Sequence, residues 1–240
     1  MFKSLNKLFT KAVYAPIIIA QGHYVKKVTL KLPEAAGERS GTAGKGQKLR
    51  LLIVGDSAAA GVGVDDQSQA LTGNLVSALS DCYQIDWLLL ARSGHTTLDS
   101  LKMISEQPQQ TFDIIVTSLG VNDVTGTLPV STWLSQQQDL ITLLRKQFSC
   151  QQILITQVPP MGQFSALPQP LRRYLGARSA LFNRKLTTLI ESQDDCQLID
   201  INSELNRDDM AEDGFHPGPN IYQHWAEIVA EKIKSQYNYK

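Results

Sequence analysis

The run Leu49–Val64, LRLLIVGDSAAAGVGV, constrains this chain more than any other stretch. Leu51, Leu52, Ile53 and Val54 are apolar at every position, so a strand built from them must be covered on both faces. Such a strand belongs to a parallel sheet with helices on either side. It stops at Gly55-Asp56-Ser57, and Ala58, Ala59, Ala60, Gly61 and Gly63 follow before a polar helix start near Gln67. A serine just past the end of a buried strand stands where open α/β sheets bind ligands. Small neighbours allow a substrate to approach the backbone closely. Ser57 is therefore a candidate nucleophile. A tight turn in which Asp56 and Ser57 cap the helix would use the same residue types.

The rest of the chain repeats the alternation. Gln67–Leu79 has helical periodicity, and Ile85–Leu90 reads as the second strand. Phe112–Leu119 is the third strand, Trp133–Phe148 a helix, and Gln152–Thr156 the fourth strand. Leu181–Ile190 continues as helix, Gln197–Ile201 is the fifth strand, and Ile221–Ile233 the last helix. One α/β domain is expected from this order. The 240 residues are 42% hydrophobic, as in an ordinary globular protein. Twenty-three basic and 23 acidic residues cancel, so no global field draws in nucleic acid, and none is expected as a partner. Cys82, Cys150 and Cys196 fit no metal motif and read as small buried or half-buried thiols, so no metal site is expected.

Residues 1–47 stand apart from this pattern. Lys3, Lys7 and Lys11 precede a short apolar stretch, Ala12–Ala20, which Pro16 interrupts and which is too short to cross a bilayer as a helix. Three readings are open: an arm packed on the domain, a cleaved signal peptide, or a membrane-surface segment with Phe2, Leu5, Leu8, Phe9 and Val13 on one face. Pro33–Gln47, rich in Gly, Ala and charge, reads as a linker or exposed loop. The expected organisation is an arm and linker over 1–47, in peripheral contact with a membrane under the third reading, and the α/β domain over 48–240.

Polar residues recur at the ends of the predicted strands. After the second strand, Gly94 can offer a bare backbone N–H to an oxyanion, or serve a strand-to-helix turn. His95 beside it reads as a supporting or surface residue. After the third, Asn122 carries an amide that can donate to a developing negative charge, or form an Asx turn, while Asp123 braces the loop. After the fourth, a Pro-rich loop carries Met161, Phe164 and Leu167. With Phe215 these residues would suit an acyl chain, or the loop merely covers the sheet edge. Near the end stands Asp213-Gly214-Phe215-His216. A serine needs a base, and the base needs a carboxylate or carbonyl on its other nitrogen. Asp213 and His216 are the close pair that fits.

Four blocks thus stand in order: Gly55-Asp56-Ser57, Gly94, Gly120-Val121-Asn122-Asp123 and Asp213-Gly214-Phe215-His216. Together they resemble the SGNH hydrolases, the GDSL family of lipases and esterases, from about Leu49 to the C-terminus. Ala58 departs from the family's name motif, which has Leu there. The resemblance implies a flavodoxin-like three-layer α/β/α sandwich on a five-stranded parallel sheet. It implies Ser57 as nucleophile, His216 as general base oriented by Asp213, and an oxyanion hole of Ser57 N–H, Gly94 N–H and the Asn122 amide. The expected activity is hydrolysis of acyl or lipid-like esters, lysophospholipids and thioesters among them, without metal or organic cofactor. Carbohydrate O-acetylesterase and acyltransferase use of the same site are alternatives, and a non-catalytic binding module is a third. A small-molecule ester is the expected partner of a monomer. The odd cysteine count and the weak signal pattern point to the cytoplasm, with a periplasmic or secreted protein as the alternative.

Overall fold

The structure, a computed structural model, describes residues 2–201 and 209–237, with side chains described from Tyr14 onward except at Tyr237. The surface-facing set Phe2, Leu5, Leu8, Phe9 and Val13 therefore lies outside the described side chains. Helix α1 (Phe2–Val28) precedes strand β1 (Ser40–Ala43) and the central strand β2 (Gln47–Gly55). The alternation then runs α2 (Leu71–Leu79), β3 (Tyr83–Ala91), α3 (Thr97–Ser105), β4 (Ile114–Ser118) and the short α4 (Val121–Thr125). It closes with α5 (Val130–Phe148), β5 (Gln152–Thr156), α6 (Leu171–Ile190), β6 (Cys196–Ile199) and α7 (Pro219–Tyr237).

The strands form one sheet in the order β1-β3-β2-β4-β5-β6, parallel from β3 to β6. The sheet has six strands rather than the expected five, because β1 pairs antiparallel with β3. Its sequence, SGTA, has no apolar run and alternates only between exposed and half-buried. Backbone pairing at a sheet edge leaves no hydrophobic trace in such a short segment. The stretch read as a linker also buries Ala35 and bridges Ala36 to Asp66.

The pleat divides the core in two. Leu49, Leu51 and Ile53 of β2 face α2 and α7, burying Leu71, Leu75, Tyr222, Trp225 and Val229. Leu52 and Val54 face the other way, toward Trp133, Leu140 and Leu144 of α5 and Phe182 of α6. That two-sided burial is why the sequence of β2 is apolar without alternation. Cys196 is buried and Cys150 half-buried, but Cys82 is exposed in the turn just before β3. The carboxyl ends of β2, β3 and β4 lie side by side, with Gly55 paired to Ala91 and to Ser118. Each of the first three polar blocks is thereby delivered to one end of the sheet.

Candidate active site

Ser57 sits two residues beyond β2, in a turn held by its neighbours' main chains. Asp56 N–H donates to Ser118 C=O at 3.1 Å, and Arg92 N–H donates to Gly55 C=O at 3.2 Å. These bonds lock the end of β2 to β4 and to the loop after β3. The half-buried Ser57 carries its Oγ 2.8 Å from His216 Nε2. His216 Nδ1 lies 2.5 Å from Asp213 Oδ2. The other carboxylate oxygen, Asp213 Oδ1, accepts the backbone N–H groups of Phe215 at 2.9 Å and His216 at 3.0 Å. Burial alone would raise the Asp213 carboxyl. The His216 ring and these backbone donors outweigh it and hold the group below the ordinary carboxylate range. Asp213 is thus a fixed negative charge on one side of the imidazole, with the serine hydroxyl on the other.

The loop that carries this pair is closed on itself. Ala211 N–H donates to His216 C=O at 2.9 Å, and Gly214 N–H to Ala211 C=O at 2.8 Å. It reaches Ser57 because Gly63 makes room. Gly63 has φ +108°, and a Cβ there would stand 2.3 Å from the Pro217 carbonyl. The small residues after Ser57 therefore admit the protein's own loops rather than a substrate. Ala59 and Ala60 are fully buried, and the Tyr222 hydroxyl of α7 lies within hydrogen-bond distance of the carbonyls of Val62 at 2.7 Å and Ala58 at 2.9 Å, with one hydrogen to share between them.

Three hydrogen-bond donors lie just past β2, β3 and β4, at the same end of the sheet. The N–H groups of Ser57 and Gly94 have no acceptor among the described residues. Gly94 has φ +82°, a conformation that favours glycine, although a Cβ there would meet open space. Asn122 is the second residue of α4, and its Nδ2 donates to the His95 carbonyl at 2.9 Å. That bond fixes the amide plane with one hydrogen and leaves the second free to donate. His95 thus contributes its main chain here.

The four apolar candidates share one hydrophobic cluster. Met161, Phe164 and Leu167 are buried in it and Phe215 packs against it, the Phe164 ring meeting that of Phe215 edge-on at 6.1 Å. Of the four, Leu167 and Phe215 also border an open cleft of about 550 Å³ shared with Tyr24, Val25, Val28 and Asp213. His23 is exposed on α1, and His224 is half-buried on α7.

Residues 53–224 match the model of the GDSL-like lipase/acylhydrolase family. The chain belongs to that family. It is an SGNH-type serine hydrolase acting on ester bonds. Solved structures agree on the fold. Est24, a carbohydrate acetylesterase from Sinorhizobium meliloti, superposes with a TM-score of 0.60 at 16% identity, covering 78% of this chain and 99% of its own. The aryl esterase of M. smegmatis gives 0.61 at 16%, with 78% and 99% covered. Axe2, an acetylxylan esterase from Geobacillus stearothermophilus, gives 0.57 at 17%, with 78% and 95% covered. No curated protein sequence matches the chain.

Several supports of the site in this GDSL-like hydrolase escaped the sequence reading. Glu34 and Arg39 lie outside the matched stretch, yet they hold the loop that bears Gly94. Glu34 Oε1 accepts Ser93 N–H at 2.6 Å, Arg39 donates to the Ala91 carbonyl at 2.7 Å, and the two side chains pair at 2.6 Å. On the other flank the loop brace Asp123, which the sequence did suggest, has partners it did not: Asp123 accepts the N–H and hydroxyl of Thr97, whose Oγ1 in turn accepts from Trp133 and Gln137. Arg178 of α6 donates to the carbonyl of Val124 in α4 and to that of Leu128 in the loop that follows. Glu34→Ala removes the acceptor of Ser93 and frees the Gly94 loop. It is expected to lower kcat by roughly tenfold to a hundredfold with little change in KM, and Glu34→Gln, which keeps that acceptor, to restore much of the loss. Steady-state kinetics of both variants check this; an equal rise in KM with kcat unchanged would assign Glu34 to substrate binding instead.

Asp56 behaves differently from Asp213. It is fully buried, and burial pushes its carboxyl up to about 7, with the Ala58 N–H and His216 pulling it back and Asp123 adding to the rise. Between about pH 4 and pH 7 the folded protein keeps a proton that the unfolded chain has lost. Stability therefore falls as pH rises through that window, by roughly 4 kcal/mol for a three-unit shift. Asp213, shifted the other way, acts only at lower pH. Urea midpoints measured at about pH 5 and about pH 8 should differ in the native chain and differ much less in Asp56→Asn.

Proposed function

We propose that this esterase works through Ser57, His216 and Asp213, with the Ser57 and Gly94 N–H groups and the Asn122 amide as oxyanion hole. The observation that carries the proposal is the continuous chain from Ser57 Oγ through His216 Nε2 and Nδ1 to Asp213. Ser57 attacks the ester carbonyl as His216 Nε2 takes its proton. The carbonyl oxygen becomes an oxyanion facing the three donors, and His216 then protonates the departing alcohol. Water, deprotonated by the same imidazole, releases the acid and restores Ser57. Asp213 holds the imidazole in the tautomer that leaves Nε2 free and stabilises the imidazolium.

The substrates proposed are acyl or lipid-like esters. Leu167, Phe215, Val25 and Val28 give the neighbouring cleft an apolar wall that suits a hydrocarbon better than a sugar. A second reading, a carbohydrate O-acetylesterase, draws on Est24 and Axe2, which are described as acetylesterases. Initial rates on p-nitrophenyl esters from acetyl to palmitoyl separate the two. An optimum beyond acetyl supports the acyl reading; activity confined to acetyl esters, together with deacetylation of acetylated xylan, supports the second. Labelling by a fluorophosphonate tests the nucleophile without assuming a substrate, and its absence would count against Ser57.

A further inference from the structure

The first 33 residues hold six lysines and no acidic residue. The rest of the chain has 17 basic against 23 acidic residues, so a neutral protein carries one strongly cationic end. The same end carries the exposed apolar surface. Of the eight large hydrophobic side chains exposed among the described residues, six lie between Tyr14 and Leu30. Exposed apolar side chains concentrated in one short segment point to an interaction site.

Helix α1 rests on α6 by a narrow seam. Ile18 and Val25 pack on the core, and the Gln21 side chain donates to the Gln169 carbonyl and accepts the Leu171 N–H. Outside that seam the helix is exposed: Pro16, Ile19 and Ala20 lie away from it, and Ile17, Tyr24 and Val28 flank it, the last two on the rim of the cleft, with Lys26, Lys27 and then Lys31 also exposed. No described helix is long and apolar enough to cross a membrane. A cationic helix with an aromatic and aliphatic outer side that cannot span lies in the plane of the headgroups. A second copy of the chain fits this surface poorly, because a symmetric contact through α1 would set lysine against lysine with no carboxylate in the segment to pair them.

We infer that the outer side of α1, continued to Lys31, docks on an anionic lipid surface. Isoleucine and tyrosine side chains enter the boundary between headgroups and acyl chains, and the lysines meet the lipid phosphates. Tyr24, Val28 and Leu30 also line the cleft that runs to Phe215, so docking turns the mouth of that cleft toward lipid. The docking surface stands apart from the catalytic proposal and is tested without turnover.

The test is co-sedimentation of the full chain with vesicles of phosphatidylcholine alone or mixed with phosphatidylglycerol. Binding is expected to the mixed vesicles and to weaken as salt is added. Lys26→Glu/Lys27→Glu/Lys31→Glu should weaken it by at least roughly a hundredfold, and Ile17→Asp/Ile19→Asp by more than about tenfold. Both variants should keep the native rate on p-nitrophenyl acetate, which shows that they fold. The inference fails if the native chain stays in the supernatant with both vesicle types, or if it binds the neutral vesicles equally well and without salt dependence. It fails also if sedimentation velocity finds a dimer that Ile17→Asp/Ile19→Asp dissolves, since the surface then belongs to a second copy.

Discussion

Ser57→Ala is expected to lower kcat/KM on a soluble p-nitrophenyl ester by roughly 10⁴–10⁶ and to abolish fluorophosphonate labelling, with the fold intact. The size of the loss follows from the chemistry. A serine hydroxyl is almost fully protonated at neutral pH, and its reactivity depends on a base 2.8 Å away that takes the proton as the carbon–oxygen bond forms. Alanine removes the attacking atom and leaves only the donors of the oxyanion hole to assist water, a residual worth roughly 10³–10⁴ over the uncatalysed rate. The stability cost is small. The Ser57 side chain is half-buried and bonds to His216, while its structural bond, Val62 N–H to Ser57 C=O, is main chain. A change within about 1 kcal/mol is expected by urea titration. Retention of more than a tenth of the native rate by a folded, pure variant would mean that another group attacks the ester.

The readable part of this fold is the part written in runs of apolar side chains. All five parallel strands were legible because each is covered on at least one face, and β2 on both. The polar blocks were legible because catalysis places unusual residue types where strands end. The rest is written in the main chain or across long separations. Strand β1 pairs through backbone groups of Ser, Gly, Thr and Ala, which carry no period. Helix α4 has five residues, too short for periodicity, and its first residues looked like a turn. Glu34 holds Ser93 from 59 residues away, and Arg178 reaches α4 from more than 50. Thr97, Trp133 and Gln137 form one buried network with Asp123, but each alone resembles an ordinary cap or core residue. Nothing in the sequence sets Glu34 apart from the other charges of Pro33–Gln47, since the burial of neighbouring Ala35 shows only in the structure.

Asp213→Asn is expected to lower kcat by about 10⁴ while changing stability and KM little. The asymmetry of the native contacts gives the reason. Asp213 Oδ1 accepts two backbone N–H groups, a demand that only an oxygen can meet. In the asparagine variant the amide oxygen must stay there, so the amide nitrogen takes the place of Oδ2 beside His216 Nδ1. That nitrogen donates, and the imidazole can satisfy it only by leaving Nδ1 unprotonated and carrying its hydrogen on Nε2. Nε2 then points an N–H at Ser57 Oγ and cannot accept the proton that attack releases. The two backbone bonds and the side-chain volume survive, so the loop keeps its shape. The variant also loses the negative charge that steadies the imidazolium. Stopped-assay kinetics with a matched urea titration separate these effects from unfolding. In the native chain the Asp213 carboxyl, held below its ordinary range, favours folding above the unfolded value and loses that contribution as pH falls through its depressed one. The asparagine variant should therefore lose less stability than the native chain on acidification below about pH 4. A variant with near-native kcat would show that His216 takes its tautomer from another partner, and the role assigned to Asp213 would fall.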